Sequence, residues 1–183
     1  MEPGIFSFEN LYSDYIPRMI AFVSTFRGLR EDEIDDLAHD ILVHAWFKKN
    51  RYDISRPLNA WIYALARNYV IDYLRSKKPV LVPLDERTNG TDARFGRGFA
   101  RLVDPAIIRS ADDEARADSG LIGLIKNEIL SMDDRDRQIA MLIFFERMSG
   151  ADASRIMGIP GATVRWRLAV IRRRLQNICR EAP

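Results

Sequence analysis

A chain of 183 residues with 47% apolar content is long and apolar enough to bury one medium core or two small ones, which excludes an intrinsically disordered protein. Cys179 is its only cysteine, so an intrachain disulfide and the multi-cysteine zinc patterns are excluded, and no uninterrupted run of about 18 apolar residues marks a membrane span. The net charge of +2 conceals segregation: Glu31, Asp32, Glu33, Asp35, Asp36 and Asp40 cluster early, whereas Ser154 to Arg180 holds seven arginines and no acid, so the two ends are expected to meet different partners.

In chain order, Phe8 to about Phe26 reads as one helix, with Leu11, Tyr15, Met19 and Phe22 on its inner side and Pro17 kinking or restarting it. From Glu31 to Phe47, Ile34, Leu37, Ala38, Ile41, Leu42 and Ala45 form a buried stripe at helical spacing. The opposite face joins Asp36, His39 and Asp40 to Val43, Trp46 and Phe47. Purely solvated faces are rarely so apolar, which points to a docking surface; the alternative is that Trp46 and Phe47 turn into the core near the helix end. His39 and His44, five residues apart, are poorly spaced to share a metal, and no metal site or cofactor is expected.

Lys48 to Leu58 is a basic, polar loop, after which Leu58, Ile62, Leu65, Ala66, Tyr69 and Tyr73 recur at helical spacing. The outer side of this third helix carries Trp61, Arg67, Asn68, Asp72 and Arg75 and runs into Lys77, Lys78 and Pro79. Rings beside cations and an amide suit single-stranded nucleic acid, where bases stack and cations hold the backbone; Trp61 and Asp72 could instead be internal. Val80 to about Ser119 breaks all periodicity and reads as a flexible linker, too long for a structureless loop within a compact domain. Domains are therefore expected at 1–79 and 120–183, with 80–119 between them.

Leu121 to Leu130 begins the second domain. Phe144, Phe145 and Met148 end one apolar helix, Ala151 to Met157 make a short second one, and Gly158 and Pro160 break the chain. In GATVRWRLAVIRRR, from Gly161 to Arg174, Val164, Leu168, Ile171 and Leu175 turn inward, so Ala162, Trp166, Ala169 and Arg173 point out. Arg165 and Arg172 lie on one flank, and Arg167 and Arg174 on the other. Two short helices joined by a tight turn, the second basic, follow the helix-turn-helix plan, whose outer face enters the major groove. Exposed there, Trp166 would meet a thymine methyl or sugar, or a protein partner. The expected fold is all-α: two small helical domains joined by a flexible linker, the second containing a helix-turn-helix.

Two motif blocks in this order resemble the extracytoplasmic-function (ECF, group IV) sigma factors of bacterial RNA polymerase. EIDDLAHDILVHAW is similar to the family's acidic helix that docks on core polymerase, RPLNAWIYALARNYVIDYLRSKK to its promoter-melting helix, and Leu130 to Leu175 to its carboxy-terminal helix-turn-helix. The resemblance implies core-polymerase contacts at Asp36, Leu37, Asp40 and Trp46, joined on the same helix by His39, Val43 and Phe47. It implies minus-ten contacts at Trp61, Arg67, Asn68, Asp72 and Arg75, continued by Lys77 and Lys78, with Asn50, Arg51 and Tyr52 in the loop that receives a flipped base. Thr163, Val164, Arg165 and Arg167 match the recognition helix for the minus-thirty-five element, flanked by Trp166, Arg172 and Arg173. Core polymerase, promoter DNA and an anti-sigma factor are the implied partners, in the cytoplasm, without membrane insertion, cofactor or enzymatic chemistry. His39 stands where the family usually has glutamine, Asp40 where it has glutamate, and Trp166 where the residue is normally small or polar.

Three rivals fit less well. A repressor or activator that never touches polymerase leaves the acidic face of residues 36–47 unexplained, and a decoy that titrates an anti-sigma factor has no need of Arg165, Arg167, Asn68 and Arg75. For an enzyme, no nucleophile with its base, phosphate-cradling loop or metal cluster is apparent. The isolated chain is expected to bind DNA weakly and less tightly as salt rises; an affinity unchanged across a salt titration would count against the arginine face.

Overall fold

A computed structural model describes residues 7–77, 124–125 and 127–181, and every regular element among them is helical. Lys78 and the linker expected over 80–119 lie outside these residues. Helix α1 (Phe8–Val23) runs through Pro17 and ends three residues before the expected Phe26. The reason is local: Thr25 and Phe26 N–H groups bond to Phe22 and Val23 carbonyls, and the Ser24 and Thr25 hydroxyls donate to the Ala21 and Phe22 carbonyls at 2.8 and 2.6 Å. Hydroxyls that satisfy the last carbonyls compete with continuation of the helix. Helix α2 (Glu31–Phe47) starts where the Glu33 carboxylate accepts the Arg30 N–H at 2.6 Å, and its expected stripe from Ile34 to Ala45 is buried throughout. A 3-10 turn, Lys49–Arg51, leads to α3 (Leu58–Ser76).

In the carboxy-terminal half, residues 127–131 are helical, followed by α4 (Asp134–Ala140), a π-helical turn (Met141–Phe145), α5 (Gly150–Met157) and α6 (Gly161–Glu181). Asp133 caps α4 by accepting the Asp136 N–H, and Ser149 caps α5 by accepting that of Asp152. Between α5 and α6 the chain reverses at Gly158, whose φ of 63° is left-handed and suits glycine. Ser154 Oγ closes this turn by donating to the Ile159 carbonyl at 2.6 Å. The π-helical turn was not foreseen; it ends at Glu146, and Arg147 then takes a φ of 52°, so Met148 lies beyond the helix rather than at its end.

Phe22 of α1 meets Tyr63 of α3 edge to face at 4.9 Å, and α2 packs on both helices. The far side of α3 packs against α5, so the buried side chains of the two halves form one continuous core. Among the described residues two ion pairs cross this seam: Arg18–Glu146 at 3.4 Å and Arg27–Asp134 at 2.9 Å.

Beside Gly28, the largely buried Glu33 carboxylate accepts from Lys77 Nζ at 2.7 Å and Tyr73 Oη at 2.8 Å, tying the end of α3 to the start of α2. Burial alone would raise its pKa, but Lys77, the Arg30 N–H and the Tyr73 hydroxyl outweigh it and bring the value from 4.5 down to about 2. A carboxyl depressed on folding contributes stability that is complete above its unfolded value and lost as pH falls toward the folded one. Lys77→Met is therefore expected to cost on the order of 2 kcal/mol near neutral pH, with the gap from wild type narrowing between pH 5 and pH 2 in urea unfolding. A gap independent of pH would contradict this assignment.

Candidate functional site

The outer face of α2 is built from the positions its buried stripe leaves free. Asp36, His39 and Asp40 are exposed, Val43 and Trp46 are half-buried, and Phe47 is 77% exposed. Both alternatives raised for the two aromatics occur. Trp46 leans on Phe8 at 5.7 Å with Lys49 Nζ 3.3 Å above its ring, whereas Phe47 stands in solvent. His39 packs its ring on Tyr12 at 5.6 Å, and Tyr69 Oη reaches Asp40 at 3.5 Å. Leu37 departs from the expected site: at 3% exposure it belongs to the core stripe, because it falls one helical step inside the acidic face.

The turn after α2 presents Asn50 and Arg51 to solvent. Tyr52 is held differently, its ring 5.4 Å from that of Trp61 and its hydroxyl donating to the Arg56 carbonyl at 2.6 Å. Asp53 braces the same loop through the Ser55 N–H and hydroxyl, leaving Ile54 86% exposed at its tip. On α3, Asn68, Asp72 and Arg75 are exposed. A groove of about 530 Å³ opens between α2 and α3, walled by His44 and Lys48 on one side and Asn68, Tyr69 and Asp72 on the other. Burial first, then the charge of Lys48, lowers the pKa of His44, whose ring lies 5.3 Å from Tyr69. Two expected nucleic-acid residues face elsewhere. Lys77 is committed to Glu33, and Arg67 is half-buried at the seam with Nε unpartnered; burial and then the like charge of Arg135 lower its pKa.

Along α6 the outward face is the one expected: Ala162, Trp166, Ala169 and Arg173 are exposed, with Trp166 at 65%, while Val164 and Ile171 are fully buried. Arg165 and Arg172 are also exposed, and Thr163 is half-buried in the first turn. Arg167 departs from expectation. Its guanidinium donates to Asp136 at 2.6 Å and Asp133 at 3.2 Å, clamping α6 to the start of α4. Burial raises the pKa of Asp133, but the Asp136 N–H and Arg167 outweigh it and hold the carboxyl below its ordinary value. Arg174 is held likewise by Glu128 and Ser131. An i-to-i+7 arginine pair facing acids some 31 to 46 residues away in sequence leaves no local signal. Among the described residues no group of three or more His, Cys, Asp or Glu could hold a metal, and no helix is long and apolar enough to cross a membrane.

These placements separate two kinds of arginine. Arg167→Ala leaves Asp136 half-desolvated without its cation and is expected to destabilise the fold by about 1–3 kcal/mol, whereas Arg165→Ala on the open face should stay within about 0.5 kcal/mol. Thermal unfolding of the full chain reads both, and equal losses would contradict the division.

The Sigma-70 region 2 family model matches residues 11–80, spanning α1 to the end of α3. The chain is 27% identical over 136 residues to the ECF RNA polymerase sigma factor SigW of Bacillus subtilis, covering 74% of this chain and 70% of that one. To the ECF RNA polymerase sigma factor RpoE of Cereibacter sphaeroides it is 31% identical over 155 residues, covering 72% and 85% respectively. Its fold is similar to that of RpoE in complex with the anti-sigma factor NepR from Bartonella quintana, with a TM-score of 0.58 at 19% identity over 96% of this chain and 98% of that one. It is also similar to CnrH in complex with the cytosolic domain of CnrY, with a TM-score of 0.53 at 18% identity over 96% and 89%. With region 2 matched across its first three helices and RpoE aligned over most of its length, the chain belongs to the ECF sigma factors of RNA polymerase.

Proposed function

We propose that this chain directs RNA polymerase to promoters through three separate surfaces. The outer face of α2, with Asp36, His39, Asp40, Val43, Trp46 and the projecting Phe47, docks on core polymerase. The Asn50–Tyr52 loop and the Trp61, Asn68, Asp72 and Arg75 face of α3 capture minus-ten bases as a single strand. Stacking worth about 1–3 kcal/mol per base offsets the few kcal/mol needed to extrude one. Helices α5 and α6 form a helix-turn-helix within a second domain over 120–183, joined by the linker 80–119 to the first domain over 1–79. Its outward strip of Thr163, Arg165, Trp166, Arg172 and Arg173 reads the minus-thirty-five element.

The observation that carries this reading is the sorting of cations on α6: Arg167 and Arg174 are spent on the protein's own acids, while Arg165, Arg172 and Arg173 stand exposed around Trp166 on one face. Exposed cations that the fold does not need are available to phosphates and guanine edges. Regulation by an anti-sigma factor is supported by likeness to CnrH and RpoE, each solved with such a protein or its CnrY counterpart. In this reading the chain itself makes and breaks no bond, and it acts in the cytoplasm, where polymerase is.

The test is transcription reconstituted from the purified chain, sigma-free core polymerase and genomic DNA fragments, with transcript starts sequenced. Discrete starts that require the chain are expected. Arg165→Ala should reduce starts that depend on the upstream element about tenfold while holoenzyme still assembles. Asp40→Ala should weaken assembly itself, and the reverse pattern would overturn the division of surfaces.

A further inference from the structure

The indole of Trp166 on α6 is a large apolar group that the fold itself does not use. It is 65% exposed, and among the described residues it has no ring, cation or hydrogen-bond partner. Its neighbours one turn before and one turn after on the same face are Ala162 and Ala169, so the ring rises from a low strip of methyl groups instead of nesting among long side chains. Arg172 and Arg173 stand exposed beyond it, and Arg165 lies back toward Gly161, its Nη1 3.6 Å from the point a Cβ would occupy there. Beneath, Val164 and Ile171 are fully buried and Arg167 is tied to Asp136 at 2.6 Å, which fixes the rotation of the helix and the direction in which the indole projects.

The charge around the indole selects its occupant. No acid lies between Ser154 and Arg180, so whatever covers this ring must be apolar at its centre and anionic at its rim. A duplex major groove has that make-up where a thymine is present: phosphates line the edges, and the thymine C5 methyl is the apolar group that a base pair shows on the floor. Cytosine and adenine present amino donors there and guanine presents acceptors, all of which lose water against the hydrocarbon face of a ring without gaining a partner. The same side chain therefore favours thymine and penalises its competitors, which is how a contact becomes a preference.

We infer that Trp166 selects a thymine, through its C5 methyl group, at one position of the duplex element that α6 reads, and so sets this chain's base preference there. The inference rests on the promoter reading proposed above and adds to it the chemical group that is recognised. Exposed Arg165, Arg172 and Arg173 supply attraction to the duplex, much of it through phosphates that every sequence carries, whereas the indole supplies choice. One methyl group covered by one ring face is a small apolar contact, so the preference is expected to be about fivefold.

The test uses holoenzyme assembled from the full chain and core polymerase, on a promoter recovered through its transcript starts. Each thymine of the upstream element, on either strand, is replaced singly by deoxyuridine, which pairs as thymine does but lacks the methyl group. In the wild type one such replacement should lower holoenzyme affinity about fivefold, and in Trp166→Ala the same replacement should have no effect. Arg165→Ala, weaker on every duplex, should keep the wild-type sensitivity at that position. Circular dichroism verifies helix content; should Trp166→Ala lose helix, Trp166→Gln serves the same comparison. Indifference of the wild type to every deoxyuridine, or a sensitivity that persists in the folded Trp166 variant, would overturn the inference. So would a Trp166 variant that fails to assemble with core polymerase before DNA is added, which would assign the indole to a protein surface. A chain that starts discrete transcripts yet ignores deoxyuridine keeps the promoter reading and loses only the thymine preference, whereas one that starts none sinks both.

Discussion

Burial of the inner stripe of α3 is the constraint on which the rest of the molecule depends. Ile62, Tyr63, Ala66 and Val70 are each fully buried, and Phe22 of α1 closes on the Tyr63 ring from one side while α5 packs from the other. A buried side chain the size of Ile62 or Val70 contributes roughly 1.5–3 kcal/mol when removed from water, so one helix organises both halves. It leaves Asn68, Asp72 and Arg75 pointing outward in fixed register. A helix anchored by its buried face can present polar groups to a flexible ligand with little further loss of conformational entropy.

Electrostatics do a different job in each half. In the first, the acids on the outer face of α2 stay exposed, whereas Glu33 is drawn in and paired with Lys77 and Tyr73. In the second, Asp133 and Asp136 hold Arg167 and Glu128 holds Arg174, so the basic helix is fixed against its scaffold by two of its own cations. Arginines one or two residues apart on one helix thus have unrelated roles, because a 100° rotation per residue sends one toward the acids of α4 and its neighbour into solvent.

The seam joins these two economies. Its apolar side chains belong to the continuous core, while Tyr63 Oη and Arg67 Nε are buried without a hydrogen-bond partner. The π-helical turn at Met141–Phe145 and the left-handed Arg147 are the local distortions that bring Glu146 to this place, where a regular helix would have carried it to another face.

Helical periodicity made the elements legible residue by residue: the stripes of α1 and α2 are buried as their spacing requires, on α6 Val164 and Ile171 are buried while Leu168 and Leu175 are half-buried, and Gly158 with Pro160 marked the sharp reversal between α5 and α6. The outward face of α6 was legible too, since fixing Val164 and Ile171 inside leaves Trp166 and Arg173 nowhere but out. Distant pairings were not legible. Arg167 with Asp133 and Asp136, Lys77 with Glu33 and Arg18 with Glu146 join residues 31 to 128 positions apart, and no local pattern distinguishes these cations from their exposed neighbours. Composition and period determine which side of a helix is buried, because that depends on neighbours three and four residues away; which charge meets which depends on how whole helices dock, and that was decided by packing across the core.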